Sequence, residues 1–243
     1  MTVYKLFLES GPRRKKTMVH VLELLGCISN GPTTEIALER TPAAIQRFLR
    51  FLDRHGEAVD LDSEIQTVIE VHVTEGVWLG NGDPSIVFEL DLNQIDNEGI
   101  ESLIDRLEWM RQDMFELVGV LSEDEFAEKP EKGRSIRTIL EHILESEYAY
   151  MYAFGRPEGL PGSGSIVTKR EGTLLEWMAY VRSVEIERLR SLNREERSKP
   201  FVHWKYTRTA RKVMRRMLEH QWEHLVEIED RLTGEITEQE PVN

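Results

Sequence analysis

The stretch "RKVMRRMLEHQWEHLVEIEDRL", residues 211–232, predicts a long helix with one apolar face. Its apolar residues recur at steps of three or four, which is the spacing of a helix that packs against other helices. His220 and His224 lie four positions apart, so their side chains project from neighbouring turns. Two such imidazoles can bind one metal ion, although the same spacing also arises by chance on a packed helix. The rest of the sequence is needed to choose between these two interpretations.

Three more long helices are predicted upstream, in a region that begins near residue 96. They cover residues 100–121, 135–154 and 173–192, and the last two begin with a hydroxyl side chain that can cap the first turn. A connection rich in Gly and Pro, residues 155–172, separates the second helix from the third. Four helices of similar length with one long crossover predict an all-α four-helix bundle.

Residues 1–92 have a mixed pattern that predicts a small α+β domain. A helix starts at about Glu35, where Thr33 or Thr34 can cap it, and Pro42 is expected to kink or restart it. Four runs of β-branched and apolar residues predict strands. The predicted strands are residues 3–10, 17–24, 64–73 and 85–92. The predicted domains are therefore 1–92 and 96–234.

Composition limits the class of partner. The chain carries 44 Asp and Glu against 31 Lys and Arg, a net charge of -13, so we expect neither a nucleic-acid nor a membrane partner. The basic run "PRRKK" at residues 12–16 is interpreted as a solvated hairpin turn. The single cysteine, Cys27, cannot form an internal disulfide, and no apolar stretch has the length of a membrane span. These features predict a cytoplasmic protein.

His142 is the candidate third metal ligand. It lies near the middle of the second bundle helix, beside that helix's apolar face. Three neutral imidazoles from two packed helices can hold a divalent ion and leave one coordination position open. We therefore predict a metal site at His142, His220 and His224. The remaining histidines are interpreted as ordinary strand, helix-end or loop residues: His20, His55, His72 and His203.

Glu147 and His203 are the candidates for a catalytic role in proton transfer. Glu147 falls on the apolar face of the second bundle helix, and a buried carboxylate needs a partner such as an imidazole N–H or a metal-bound water. An arginine from another helix is at least as good a partner, so an interhelical salt bridge is the alternative. His203, in "KPFVHWKY", precedes the last helix and could fold over the site, although a plain loop residue is the preferred interpretation.

The second half of the chain resembles the DinB-like superfamily of four-helix bundles. The resemblance rests on "FAEKPEKGRSIRTILEHILESE" and "TARKVMRRMLEHQWEHLVEI", and it covers about residues 96–234. It implies an up-down-down-up bundle that is frequently a homodimer. It also implies thiol-dependent transferase or isomerase chemistry with a low-molecular-weight thiol.

The metal ligands of that family map onto this chain one by one. A histidine on the second helix corresponds to His142, and an H-x-x-x-H pair on the last helix corresponds to His220 and His224. Arg134 stands where the family often has a tryptophan. The resemblance implies a divalent metal ion as cofactor, with zinc or nickel as the first candidates and iron as another.

The first half of the chain is similar to the HicB-like antitoxin fold. The residues that carry this similarity are "VHVLELLGCISNGPTTEIALERTPAAI", within a matched region of about 1–90. The chain has "SGPRRKK" where that family commonly has an acidic, Gly-containing hairpin, and no DNA-binding domain follows. The similarity implies a module for interaction or ligand sensing.

Two functions remain open from the sequence. The first is a metal-dependent transferase or hydrolase that acts on a small molecule, with thiol-dependent S-transfer suggested by the family resemblance. The alternative is a non-catalytic interaction or regulatory module whose first domain binds a protein partner.

Overall fold

The computed structural model describes residues 1–12, 15–131 and 133–234. The chain divides into two compact units, Met1–Leu90 and a second unit that begins at Asp91. The basic run at residues 12–16 lies partly outside the described residues, so its interpretation as a turn stays a prediction. Within the described ranges, no helix is both long enough and apolar enough to cross a membrane.

The first unit is a four-stranded sheet with one long helix. The strands lie in the order β3-β2-β1-β4, where β1 pairs with β2 and β2 with β3 in antiparallel fashion and β1 pairs with β4 in parallel. The elements are β1 Thr2–Ser10, β2 Lys15–His20, β3 Ile28–Thr33, α1 Thr34–Arg54 and β4 Ile65–Val73. Helix α1 contacts β2 and β3.

Helix α1 is continuous through Pro42, so the predicted restart is wrong. The helix begins as predicted, where the side chain of Thr33 accepts a hydrogen bond from the backbone N–H of Ile36. Apolar side chains on its buried face lie well beyond the proline, and Ile45 and Phe48 are fully buried. Their burial against the sheet offsets the one backbone hydrogen bond that a proline removes.

The strand predicted at residues 85–92 is also wrong, because this segment is irregular and ends in a 3-10 turn at Glu89–Leu92. The carboxylate of Asp83 accepts hydrogen bonds from the backbone N–H and the hydroxyl of Ser85, which fixes a turn where a strand would start. Phe88 is buried in a small apolar cluster of the first unit. Ile86 and Leu90 pack against that cluster as partly buried residues, so part of the segment's apolar surface is covered without a strand joining the sheet.

The second unit is helical, as predicted. Its long helices are α2, α4, α5 and α7, and each of them contacts two others: α2 with α5 and α7, and α4 with α5 and α7. The elements are α2 Asn97–Val118, α3 Glu123–Ala127, α4 Ile136–Met151, α5 Leu174–Arg190, α6 Arg194–Ser198, β5 Phe201–His203, β6 Tyr206–Arg208 and α7 Ala210–Thr233. The short helices α3 and α6 and the β5–β6 hairpin were not predicted from the sequence.

The helix starts in the second unit follow from their capping residues. Ser135 accepts a hydrogen bond from the N–H of Thr138, and Thr173 forms a capping box with Glu176, as predicted. The side chain of Thr209 caps α7 by accepting a hydrogen bond from the backbone N–H of Lys212. These caps fix the first turns of α4 and α7, the two helices that carry the candidate metal ligands.

Candidate metal centre

The structure brings together the three histidines that the sequence singled out. Nε2 of His220 lies 3.1 Å from Nε2 of His142 and 3.3 Å from Nε2 of His224. One ring nitrogen from each residue falls within 4.8 Å of the others. His220 and His224 converge because they occupy neighbouring turns of α7, and His142 reaches them because α4 packs against α7.

The site lies at the edge of the buried core of the second unit. The side chains of His220 and His224 are buried, whereas His142 is half-buried. Tyr150, two turns after His142 on α4, places its ring 6.0 Å from that of His220. His142, on α4, is therefore the most exposed of the three histidines.

A carboxylate orients one of the histidines. Nδ1 of His224 lies 2.7 Å from Oε2 of Glu227, and a carboxylate can only accept, so Nδ1 donates the hydrogen and Nε2 keeps its lone pair toward the cluster. Arg231 holds the other oxygen of Glu227 at 2.7 Å, and Arg134 lies 3.4 Å from Oε2. Glu227 was not among the residues predicted from the sequence, although its position three residues after His224 indicates this pairing.

The environment keeps the imidazoles of His142 and His220 neutral. Burial lowers the pKa of His142 to about 4, with a further contribution from His224. Burial also lowers the pKa of His220 well below its ordinary value, and His224 and His142 add to the effect. Burial alone would raise the pKa of Glu227, but the hydrogen bond with His224 and nearby charges lower it overall. Neutral imidazole is the form that binds a metal ion.

The donor set fits a divalent cation. An imidazole nitrogen carries at most one hydrogen, so Nε2 of His220 can donate to only one of the two Nε2 atoms beside it. Without a cation, lone pairs face one another in a buried place. Four ligands around zinc at tetrahedral geometry would be about 3.3 Å apart, as its Zn–N distances require. The two measured Nε2 separations are close to that spacing.

Residues 106–228, just over half of the 243-residue chain, match the family model of the DinB superfamily. The chain belongs to the DinB superfamily. The matched range contains all three histidines, and proteins of this family are generally metal-binding. No curated protein and no solved structure matches the chain.

Glu147 in this DinB-superfamily chain forms the interhelical salt bridge that the sequence analysis gave as its alternative. Nη2 of Arg111, on α2, lies 2.7 and 2.6 Å from its two carboxylate oxygens, and Arg182, on α5, also donates to it. Burial would raise the pKa of Glu147, but Arg111 and Arg182 lower it overall. Its carboxylate therefore holds α2, α4 and α5 together.

The same network extends to two more buried side chains. Arg182 donates from Nε to Glu185 at 3.1 Å and from Nη2 to Gln221 at 2.6 Å. Burial raises the pKa of Glu185 to about 8, and the charge of Glu147 adds to the rise. Gln221 follows His220 on α7, and its amide donates to the backbone oxygen of Leu107 at 3.2 Å.

His203 lies outside the histidine cluster. It ends β5, and its ring contacts those of Tyr152 and Trp204, with centroid separations of 5.6 and 6.2 Å. Burial lowers its pKa, and Arg208 contributes. Tyr152 follows α4 directly, so the β5–β6 hairpin packs against the end of the helix that carries His142. The other histidines, His20, His55 and His72, belong to the first unit.

Proposed function

We propose that this chain is a metal-dependent enzyme, a transferase or hydrolase, whose divalent ion is held by His142, His220 and His224. The observation that carries the proposal is the convergence of three imidazole nitrogens at the distances given above. Within the described ranges, no fourth His, Cys, Asp or Glu joins this cluster. Three protein ligands leave a coordination position for substrate, as in catalytic rather than structural sites.

The chemistry follows from the donor set. Imidazole ligands suit zinc, nickel and iron, and zinc or nickel are our first candidates. An ion bound there would act as a Lewis acid that lowers the pKa of a thiol or water at the open position. Glu227 holds the hydrogen on Nδ1 of His224 and so keeps the Nε2 lone pair available. Thiol-dependent S-transfer with a low-molecular-weight thiol is the reaction type that we propose from the family.

Of the two candidates for proton transfer, we retain His203. The lowered pKa of its ring keeps it neutral at physiological pH, the form that accepts a proton. Both carboxylate oxygens of Glu147, in contrast, accept hydrogen bonds from arginines. We assign Glu147 to holding the helices in place.

An activity assay tests the enzyme proposal. Full-length protein loaded with zinc or nickel is incubated with a low-molecular-weight thiol and an electrophile such as an aryl chloride, and separately with ester and amide substrates. We expect a rate above background in one assay, its loss in His224→Ala, and a changed pH profile in His203→Ala. A protein that retains its metal and accelerates none of these reactions would favour the non-catalytic alternative.

The finer structural assignments belong to the same proposal. The ring of contacts among the four long helices supports an up-down-down-up four-helix bundle, with domains at 1–92 and 96–234. Two features support a HicB-like first domain. The strands lie in the order β3-β2-β1-β4, and along the chain α1 connects β3 to β4. A cytoplasmic location is consistent with the single cysteine.

One observation favours the alternative of an interaction module. Strand β4 lies at the edge of the sheet, and its side chains Val68, Ile69 and Val71 are exposed by 46, 47 and 36%. An edge strand with exposed apolar side chains can pair with another chain, either a protein partner or a second copy. Sedimentation velocity of the wild type and Ile69→Lys tests this: a dimer lost in the variant would support pairing through β4, and identical monomers would oppose it.

A further inference from the structure

A cavity lies between α2 and α5, the two long helices of the second unit that carry none of the three clustered histidines. Its volume is about 540 Å³, which is within the range of pockets that hold small organic molecules. Helix α5 contributes Ala179 and Arg182 to its lining, and α2 contributes the other lining residues, among them Arg111 and Phe115. We call this space the α2–α5 cavity.

Two buried arginines in the lining have hydrogen-bonding capacity that the chain does not use. The side chains of Arg111 and Arg182 are each exposed by only 5%. Among the residues that the structure describes, neither Nε of Arg111 nor Nη1 of Arg182 has a hydrogen-bond partner. A buried donor without an acceptor is unfavourable, and most such groups in folded proteins are paired. Each arginine can therefore donate to a group that enters the cavity.

The other nitrogens of the two guanidinium groups hold both side chains beside the cavity. Arg111 donates from Nη1 to the backbone oxygen of Met178 at 3.1 Å and from Nη2 to Glu147. Arg182 donates from Nε to Glu185 and from Nη2 to Glu147. The two unpartnered nitrogens are not themselves exposed, so a small shift of a guanidinium group toward the cavity completes its contact with a ligand.

The rest of the lining indicates the chemical class of the ligand. Phe115 and Ala179 offer apolar surface, and the ring of Phe115 lies 5.6 Å from Cζ of Arg111. One small molecule can therefore place an acidic group near the arginine and an apolar group near the ring. Glu108 and Glu116 are exposed side chains of the same lining, and their charges repel a dianion more than a monoanion.

We propose that the α2–α5 cavity binds a small organic monocarboxylate, with the carboxylate at Arg111 and Arg182 and the apolar part against Phe115 and Ala179. A guanidinium group presents its donors in a planar fork that matches the two oxygens of a carboxylate. The site is separate from the histidine cluster and uses no metal ion, so it goes beyond the proposed function and does not rest on it.

The test is a calorimetric titration of full-length protein with benzoate at constant ionic strength. Benzamide is the neutral analogue of this probe, and inorganic phosphate is the anion without an apolar part. The variants are Ala179→Trp, which fills the cavity, and Ala43→Trp, the same change on an exposed position of α1. His224→Ala is included because a carboxylate could also bind a metal ion at the histidines. Thermal unfolding verifies that each variant folds.

We expect the wild type, Ala43→Trp and His224→Ala to bind benzoate with equal affinity and Ala179→Trp to bind it about tenfold more weakly. Benzamide and phosphate should each bind the wild type about tenfold more weakly than benzoate. Three results would overturn the inference: no saturation of the wild type up to about 10 mM benzoate, unchanged affinity in Ala179→Trp, or loss of binding in His224→Ala, which would place benzoate at the metal centre.

A second variant, Glu185→Gln, tests the role of the arginines without filling the cavity. Arg111 from α2, Glu147 from α4 and Arg182 from α5 act on Glu185, and the side chain that α7 adds to this group, Gln221, is uncharged. Burial raises the pKa of Glu185 to about 8, so at higher pH its carboxylate competes with the ligand for Arg182.

Benzoate affinity of the wild type should therefore fall about fivefold between about pH 7 and about pH 9, whereas that of Glu185→Gln should stay constant. The same titration at the two pH values measures both proteins. An equal pH dependence in the wild type and Glu185→Gln would overturn the assignment of the carboxylate to Arg111 and Arg182.

Discussion

Helix α4 contributes to two buried polar clusters of opposite character. Its residue His142 belongs to the histidine cluster, and Glu147, five residues later, belongs to what we call the ion-pair network. The ion-pair network consists of Arg111, Glu147, Arg182 and Glu185. In this network cations face carboxylates, so burial is compensated from within the chain. In the histidine cluster the converging atoms are all imidazole nitrogens, with the carboxylate of Glu227 behind His224, so a cation is the ligand that would satisfy their lone pairs.

The largest effect is expected from breaking the ion-pair network. Replacement of Arg182 by Met leaves Glu147 and Glu185 buried with one cation, which should lower the free energy of unfolding by about 3–5 kcal/mol. Urea unfolding of the wild type and of Arg182→Met measures this difference in the free energy of unfolding. The control is Arg190→Met, which breaks an exposed pair with Glu101 and should leave the unfolding midpoint unchanged. Equal midpoints for the two variants would show that the network does not stabilise the helices.

The histidine cluster should stabilise the fold only when metal is present. At free metal near a thousand times its dissociation constant, the wild type should gain about 4 kcal/mol in the free energy of unfolding over the metal-free protein. His224→Ala should show no metal-dependent gain. Urea unfolding with zinc and with a chelator measures both. A similar gain in His224→Ala would place the metal elsewhere.

Loss of the carboxylate behind His224 should weaken the site without abolishing it. Glu227→Gln no longer fixes the hydrogen on Nδ1 of His224 through an anionic acceptor, so metal affinity should fall by about 10–100-fold. Competition with a chromogenic chelator measures this affinity. Glu145→Gln, an exposed change on α4, is the control and should bind metal like the wild type. Unchanged affinity in Glu227→Gln would remove Glu227 from the site.

A pH dependence of stability is also expected from the ion-pair network. The pKa of Glu185 is raised to about 8 in the folded protein, above its ordinary value near 4.5, so the folded state holds the extra proton between these pH values. The free energy of unfolding therefore contains a contribution from protonated Glu185. This contribution is fully present below about pH 4.5 and is lost as the pH rises through about 8. Glu185→Gln should remove this dependence. Urea midpoints that depend equally on pH from 5 to 9 in both proteins would contradict it.

The histidine cluster could be predicted from the sequence because its geometry is mostly local. The spacing of His220 and His224 fixes their relation on one helix, and only the packing of α4 against α7 had to be added. Helix starts such as Ser135 and Thr173 were predictable for the same reason, since each cap involves residues three positions apart.

The ion-pair network could be predicted only in outline. Burial of Glu147 followed from the apolar face of its helix, but its partners come from α2 and α5, and the choice of Arg111 and Arg182 depends on how three helices meet. The predicted strand at residues 85–92 failed because apolar composition alone does not show whether a segment joins a sheet. Contacts between residues a few positions apart on one helix can therefore be predicted from their spacing. Contacts between distant segments depend on how the chain folds and cannot be predicted in this way.

The metal content of untagged protein tests the central claim most directly. The wild type, His224→Ala and His203→Ala are purified without added metal, dialysed, and analysed for zinc, nickel and iron. We predict about one divalent ion per chain in the wild type and in His203→Ala, whose histidine lies outside the cluster, and no ion in His224→Ala. A wild type that contains no metal and shows no thermal stabilisation with any divalent ion, or a His224→Ala variant that retains its metal, would contradict the account.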